Sequence, residues 1–257
     1  MKIKRSSWSL PYFIFLLLFV ALPLVLIAVY ALQDSSGRFT LDNITRFFTD
    51  SDALSTFALS LEVAIENTLI CLALGYPAAW ILANRKFNRS AVTIILFILP
   101  MWINALMRTL ATAELFNVLG FGLGKGTLLY GMAYDYLPFM IYPIYNILQK
   151  IDPSYAEAAE DLGATPSKVF LKITLPLSMP GIISGVLMVF MPTVSTFAIS
   201  EFLTNNKIKL FGTIIQENIN SSSWNYGAAL SLIMLVIIGI TSLFDTKSGA
   251  AAQEGVI

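Results

Sequence analysis

The sequence predicts an all-α integral membrane protein with six transmembrane helices. Only 12% of the 257 residues are charged, whereas soluble domains carry roughly a quarter. Several uncharged apolar runs reach the length of about 20 residues that a helix needs to cross the hydrocarbon core. Lysine and arginine are also distributed unevenly between alternate loops. We therefore expect a lipid bilayer to surround most of the chain.

Each predicted span follows one apolar run and ends where polar residues resume. The spans are residues 11–32, 59–83, 91–112, 127–149, 176–202 and 225–244. No polar linker separates them, so we predict one transmembrane domain over residues 1–245. Residues 246–257 are small, polar and without pattern, which predicts a disordered tail.

The positive charges predict the orientation of the spans. Ten lysines and arginines fall on one side of the predicted membrane, namely Lys2, Lys4, Arg5, Arg85, Lys86, Arg89, Lys150, Lys168, Lys172 and Lys247. Five fall on the other, namely Arg38, Arg46, Lys125, Lys207 and Lys209, and Arg108 lies within a span. Because cytoplasmic loops carry the excess of positive charge, both termini and the loop at 152–176 are predicted to be cytoplasmic.

The cytoplasmic loop at residues 152–176 predicts a pair of short helices. Asp152 is a capping residue and Pro153 suits the first helical position, where its missing N–H costs nothing. Gly163 predicts the end of this first helix, because glycine readily adopts the left-handed conformation. Thr165 and Pro166 predict the start of a second helix over residues 167–173, and Pro176 the return to the membrane.

One side of the first helix has the composition of a docking surface. Tyr155, Ala158, Ala159 and Leu162 recur at helical spacing, and the two alanines allow close approach of another backbone. The alternative is an amphipathic loop that lies on its own helix bundle.

This loop resembles the EAA loop of the permease subunits of binding-protein-dependent ABC importers. The shared pattern is E-A-A-x3-G-x9-I-x-L-P, matched here by Glu157, Ala158, Ala159, Gly163, Ile173, Leu175 and Pro176. The resemblance implies a type I ABC importer permease fold in a bacterial cytoplasmic (inner) membrane. It also implies that the hairpin couples to an ATPase, through Glu157, Ala158, Ala159, Asp161, Leu162 and Gly163.

The resemblance further implies an assembly. The expected partners are a homologous second permease in a heterodimer, two ABC ATPase subunits and an extracytoplasmic substrate-binding protein. No G-x4-G-K-[ST] phosphate loop occurs in the sequence. We therefore expect no cofactor in this chain, with ATP and Mg²⁺ bound by the partner ATPase, and no enzymatic activity of its own.

Further segments resemble the B-type subunits of spermidine/putrescine permeases. They are LPMWINALMR at 99–108, LPFMIYPIY at 137–145, LPLSMPGIISG at 175–185 and WNYGAA at 224–229. This resemblance implies polyamine import. Importers of sulfate, molybdate or iron share the EAA loop and are the alternative.

An acid beside aromatic rings suits an ammonium substrate through charge pairing and cation–π contact. The candidate pathway residues are Trp102, Asn104, Tyr134, Asp135 and Glu201. For Asp135 the alternative is an ion pair with Arg108 or a partner cation, and for Glu201 a solvated helix end. Glu62 and Glu66, one helical turn apart, are a weaker candidate for attracting polycations at the outer face.

Other classes of function have little support in the sequence. Histidine is absent and Cys71 is the sole cysteine, so a Cys/His metal site and a disulfide lack their ligands. A formal net charge of zero provides no field to attract nucleic acid. An ion-driven secondary transporter would show inverted repeats, and would leave the EAA pattern without an explanation.

Overall fold

The computed structural model describes residues 10–84 and 92–254, with side chains up to residue 241, and these residues form helices and connecting loops without a β-sheet. The all-α prediction is confirmed. The helices in this part of the chain are α1 (Leu10–Ala31), α2 (Asp42–Thr49), α3 (Ser51–Ala83), α4 (Val92–Trp102), α5 (Ala105–Val118), α6 (Lys125–Leu148), α7 (Ser154–Asp161), α8 (Pro166–Ser195), α9 (Ala198–Thr204), α10 (Phe211–Asn220) and α11 (Trp224–Glu254).

Four of the described helices are long and apolar enough to cross a membrane, namely α1, α3, α8 and the 224–241 part of α11. The pair α4 and α5 is a fifth candidate if it counts as one bent span. Helix α6 has 24 residues, about 36 Å at 1.5 Å per residue, but its sequence is less apolar and it is not in this set. The count of six spans stays a prediction.

The predicted continuous span at 91–112 is wrong, because the helix breaks in its middle. Helices α4 and α5 meet at an angle of 90°. Helix α4 ends as a 3₁₀ turn at Leu99–Trp102 that contains Pro100, and Ile103 adopts an extended conformation. Asn104 then caps α5 by accepting the Leu106 N–H at 2.9 Å.

The predicted second short helix of the hairpin is not a separate element. It is the first part of α8, which runs from Pro166 to Ser195 and includes a π-helical turn at Phe170–Thr174. In a regular α-helix the ring of Pro176 would collide with the carbonyl of Lys172. Lys172 lies inside the wide turn, whose Leu175 N–H bonds to the Phe170 carbonyl. The wide turn therefore accommodates the proline that was expected to begin a new element.

The same arrangement occurs in α1. A π-helical turn spans Leu17–Ala21, with the Leu22 N–H bonded to the Leu17 carbonyl, and Pro23 follows. In both helices the wide turn ends directly before a Leu-Pro-Leu triplet, at 22–24 and at 175–177. Both π-helical turns in the described residues are thus followed by a proline at the same spacing.

Two further boundaries differ from the prediction. Helix α8 ends at Ser195, so the predicted fifth span at 176–202 stops early, and a separate helix, α9, carries residues up to Thr204. Helix α11 continues to Glu254, into the residues predicted to be disordered. The division of the chain at residue 245 stays a prediction.

The chain divides into two compact units. The first comprises the described residues up to Ser55 together with Ile214–Ile237. In it the side-chain amides of Asn43 and Asn225 both donate to the Gln33 carbonyl, at 2.7 and 2.8 Å. Asn225 also reaches the Tyr30 carbonyl at 3.1 Å. These bonds hold the segment that follows α1 against Asn43 of α2 and Asn225 of α11.

The second unit comprises the described residues from Thr56 to Thr213 and those from Ile238. Polar side chains connect its helices from the inside. The Asn67 amide of α3 donates to Thr193 Oγ1 of α8 at 3.0 Å, and Thr127 Oγ1 of α6 donates to the Leu203 carbonyl of α9 at 2.8 Å. The Phe211 N–H donates to Ser60 Oγ at 2.7 Å. Hydrogen bonds of this kind fix which helices are neighbours in a bundle.

Candidate functional site

The first helix of the predicted coupling hairpin is α7, Ser154–Asp161. Asp152 precedes it, and its carboxylate accepts the Ser154 N–H at 2.9 Å. This hydrogen bond from the Ser154 backbone is the main cause that lowers the pKa of Asp152. The predicted cap is therefore present, although the helix begins at Ser154 rather than at Pro153.

The helix ends as the glycine predicts. Gly163 has φ +81°, its N–H bonds to the Glu160 carbonyl, and the Ala164 N–H bonds to the Ala159 carbonyl, both at 2.9 Å. This pair of bonds is the Schellman motif, which closes a helix through a residue in the left-handed conformation. Gly163 is thus required by the backbone geometry of the hairpin.

No residue of α7 is buried in this chain. Leu162, directly after the helix, is 89% exposed, and Tyr155 is 54% exposed. The alternative that the loop lies with its apolar side on its own bundle is therefore not what the structure has. Glu157, Ala158, Ala159 and Asp161 lie on the helix itself, followed by Leu162 and Gly163. Their role in coupling stays a prediction.

Behind the hairpin lies a cluster of side chains that sequence reasoning missed. Phe170, in the π-helical turn of α8, contacts two aromatic residues of α3 in edge-to-face geometry. Its ring centroid lies 5.8 Å from that of Tyr76 and 6.4 Å from that of Trp80. The Tyr76 hydroxyl lies 3.0 Å from Ser178 Oγ of α8. The spacing of Tyr76 and Trp80, four residues apart, was the available signal.

The candidate pathway residue Asp135 forms an ion pair. Its Oδ1 lies 3.2 Å from Nη2 of Arg108, and both side chains are more than nine-tenths buried. Thr109 Oγ1 donates to Asp135 Oδ2 at 3.1 Å. The Arg108 guanidinium also lies 5.5 Å from the centroid of the Tyr134 ring. The alternative of a pair with Arg108 is the arrangement present in this structure.

The ion pair leaves part of the guanidinium without a partner. Arg108 Nε and Nη1 are buried and make no hydrogen bond among the described residues. Buried ion pairs repay their desolvation only when the remaining donors and lone pairs are also satisfied. The hydrogen-bonding capacity of this ion pair between α5 and α6 is therefore only partly satisfied.

The structure does not place the other pathway candidates in this cluster. Trp102, the last residue of α4, is 88% exposed. Asn104 uses its side-chain oxygen to cap α5, so its role in the structure is a local one. Glu201 lies in the first turn of α9 and is half-buried, rather than at the end of the fifth span.

The acidic pair near the predicted outer face has a partner within the chain. Lys125 Nζ lies 2.6 Å from Glu62 Oε1 and 2.9 Å from Glu66 Oε1. The hydrogen bonds to Glu62 and then Glu66 raise the pKa of Lys125. A single ammonium that the protein supplies thus contacts both carboxylates and offsets part of their negative charge.

Metal binding has no candidate among residues 10–84 and 92–254, where no group of three or more Cys, Asp or Glu side chains is arranged to hold an ion.

The described part of the chain combines four helices long and apolar enough to cross a membrane with an exposed, capped helix between α6 and α8, as in an integral membrane protein. Residues 5–247 match the family described as "Binding-protein-dependent transport system inner membrane component". The chain belongs to this family. It is therefore a multi-pass inner-membrane component of a binding-protein-dependent transport system.

Relatives with assigned names cover nearly the whole chain. The spermidine/putrescine transport system permease protein PotB of Escherichia coli is 34% identical over an alignment of 265 positions, which covers 94% of this chain and 96% of that protein. The protein of the same name from Haemophilus influenzae is 31% identical over an alignment of 252 positions, which covers 89% of this chain and 88% of that protein. The resemblance to spermidine/putrescine permeases is confirmed.

Solved structures share the fold at low sequence identity. A chain of a bacterial ABC transporter involved in the import of the acidic polysaccharide alginate superimposes with a TM-score of 0.72 and 13% identity, covering 94% of each chain. A chain of the MetNI methionine ABC transporter gives a TM-score of 0.63 and 13% identity, covering 77% of this chain and 95% of that one. The predicted ABC importer permease fold is confirmed.

Proposed function

We propose that this chain is a membrane-spanning permease subunit of an ATP-driven importer that moves polyamines, spermidine or putrescine, into the cytoplasm. The observation that carries the transport role is α7, a capped helix without a single buried residue. A rigid helix held away from its own bundle suits a contact with another subunit. The substrate class rests on the relatives named above, whose alignments cover 94% and 89% of the chain.

The proposed assembly contains five subunits. This chain pairs with a homologous second permease, and each permease hairpin binds one of two cytoplasmic ATPase subunits that hold ATP and Mg²⁺. A binding protein delivers the substrate from outside. Six spans, with both termini in the cytoplasm, place the hairpin on the side of the ATPases, in agreement with the excess of lysine and arginine on that side.

In the hairpin, Glu157, Ala158 and Ala159 provide the contact with the ATPase. The alanines allow the ATPase backbone to approach closely, and Asp161 and exposed Leu162 extend the contact toward the end of the helix. Gly163 sets the direction in which the chain leaves the helix, because its positive φ permits the Schellman closure.

In the membrane, Asp135 and Tyr134 provide the cation-binding chemistry. A carboxylate next to an aromatic face binds an ammonium by charge and by cation–π attraction. In the conformation described here Arg108 holds that carboxylate. A substrate ammonium would take the place of the guanidinium during transport. Trp102, Asn104 and Glu201 are proposed to line the same route in the assembled transporter.

The test is purification followed by reconstitution. The tagged chain, extracted in mild detergent, should copurify with an ATPase subunit in stoichiometric amounts. In vesicles supplied with the binding protein, ATP should drive uptake of labelled spermidine. Glu157→Lys should abolish uptake, whereas Glu114→Lys, the same charge change at an exposed site on α5, should not. An assembly without an ATPase, or full uptake with Glu157→Lys, would refute the proposal.

A second candidate function has one observation in its favour. Arg108 carries two buried nitrogens, Nε and Nη1, without hydrogen-bond partners among the described residues. An importer of sulfate or molybdate would use such a guanidinium to bind an oxyanion. Competition of unlabelled sulfate, molybdate and putrescine against labelled spermidine separates the two. Inhibition by sulfate or molybdate, with none by putrescine, would favour the second candidate.

A further inference from the structure

We infer that Phe170, Tyr76, Trp80 and Ser178 form the contact through which motion of the coupling hairpin reaches the membrane helices. We call these four residues the relay cluster. The inference rests on the proposed function, since it assumes that an ATPase moves the hairpin. In this view they are positioning residues: they touch neither ATP nor the transported solute.

The hairpin connects to the bundle through the start of α8. Helix α7 has no buried residue, and it contacts the first turn of α8 and the π-helical turn that follows. Motion of α7 therefore reaches the bundle through this first part of α8. The first residue there whose side chain is buried is Val169, and Phe170, half-buried, follows it at the start of the π-helical turn. Phe170 is thus one of the first residues after the hairpin whose side chain packs against the helix bundle.

Phe170 contacts two aromatic side chains of α3. Its ring packs edge to face against Tyr76 and Trp80 at interplanar angles of 81° and 89°. Tyr76 and Trp80 are four residues apart on α3 and therefore lie on one face of that helix. They flank Pro77, a residue inside α3. One ring of α8 is thus held against two rings of α3, on both sides of a proline.

A hydrogen bond between Tyr76 and Ser178 also connects α3 to α8. Ser178 Oγ donates to the Leu175 carbonyl at 2.8 Å, which uses its one hydroxyl hydrogen. The Tyr76 hydroxyl must therefore donate in its 3.0 Å bond to Ser178 Oγ. Both side chains are buried, with Ser178 fully so. Tyr76 thus contacts α8 at the first residue of the wide turn, through Phe170, and after the turn, through Ser178.

The contacts of Tyr76 with α8 lie at and beyond the π-helical turn. Tyr76 contacts the turn at its first residue, Phe170, and contacts α8 again at Ser178, beyond the end of the turn at Thr174. A π-helical turn contains one residue more than the regular turn and is often found at functional sites. Tyr76 therefore spans this irregular segment of α8. A displacement of the hairpin would move Phe170 and, through it, α3.

The experiment uses the complete transporter in vesicles and measures substrate transported per ATP hydrolysed. Phe170→Leu removes the ring but keeps an apolar side chain, Phe170→Tyr keeps the ring, and Tyr76→Phe removes only the hydroxyl. We expect Phe170→Leu and Tyr76→Phe to keep ATPase copurification and ATP hydrolysis. Transport per ATP should fall about fivefold for Phe170→Leu, which loses two aromatic contacts, and less for Tyr76→Phe, and Phe170→Tyr should restore it.

Matched controls are Phe39→Leu and Tyr12→Phe, at side chains that are 74% and 67% exposed. Both should leave transport per ATP unchanged. If Phe170→Leu and Phe170→Tyr transport equally well per ATP while the ATPase copurifies, the inference is overturned and the proposed function stands. If the wild-type chain copurifies with no ATPase, it is the proposed function that fails.

Discussion

Arg108 and Asp135 are held together at the junction of α5 and α6, with 3.2 Å between Nη2 and Oδ1. Arg108 lies on α5, one turn after the 90° break from α4, and Asp135 lies in the middle of α6. An acid at a helix centre in a membrane costs roughly 2.5–3.5 kcal/mol on insertion scales. The pairing therefore explains how Asp135 is tolerated there, and it connects the broken helix to its neighbour.

Removing one member of this pair should destabilise the protein more than removing both. Asp135→Asn leaves a buried guanidinium without its counter-charge, at a cost of about 3–5 kcal/mol. Arg108→Gln alone leaves the carboxylate in the same situation. The double variant should recover much of the loss, as measured by the Tm of the purified complex in detergent. Additive losses in the double variant would contradict this prediction.

Gly163→Ala should weaken the attachment of the ATPase. The residue has φ +81°, a conformation that costs an L-residue with a Cβ about 1–2 kcal/mol. Gly163→Asn should be milder, because asparagine tolerates this region. The measurement is the amount of ATPase retained on the immobilised permease. The matched control is Gly126→Ala, where a Cβ would meet open space and φ is ordinary.

Gly212→Ala should lower the stability of the second unit. A Cβ at this position would press against the Ser195 carbonyl oxygen and lie 2.7 Å from that of Thr196, and neither backbone group can rotate away. Overpacking of this kind costs about 1–3 kcal/mol. We expect a lower Tm for the variant. Gly122→Ala, which meets nothing within 4 Å, should leave the Tm unchanged; equal behaviour of the two variants would argue against the packing described here.

Lys125→Met should change the stability less than Asp135→Asn does. The side chains of Lys125, Glu62 and Glu66 are 39%, 55% and 37% exposed, so water screens their attraction. The glutamates raise the pKa of Lys125. A raised folded-state pKa gives a contribution that is complete below the unfolded pKa and is lost as the pH rises through the folded one. The Tm difference from wild type should therefore be constant from about pH 6 to pH 9 and shrink only near pH 10 and above. A difference that varies around neutral pH would contradict the assignment.

The long helices and the hairpin could be predicted because their signals are local. Apolar runs locate α1, α3 and α8, and Asp152 and Gly163 mark both ends of α7 within a residue or two. The break after Trp102 was missed, although Pro100 and the capping residue Asn104 were both available as signals. An apolar run reads as continuous whether or not its helix bends, so hydropathy alone does not reveal such a break.

The contacts between helices could not be predicted, because no sequence spacing encodes them. Lys125 reaches Glu62 across 63 positions of the chain, and Phe170 reaches Tyr76 across more than 90. The pairing of Asp135 with Arg108 was one of two alternatives, and the structure was needed to select it. Aromatic and charged residues in a membrane helix indicate that an interaction partner is needed, but their positions in the sequence do not identify that partner.

The two Leu-Pro-Leu triplets have a consequence for how α1 and α8 present their surfaces. An additional residue in a helix rotates everything on one side of it by about 100° relative to the other. Side chains before residue 17 and after residue 21, or before residue 170 and after residue 174, therefore follow two different angular frames. A helical wheel drawn through either wide turn assigns the positions on one side of the turn to the wrong face. Deleting a single residue ahead of Pro176 would not merely shorten α8 but turn the whole hairpin about its axis.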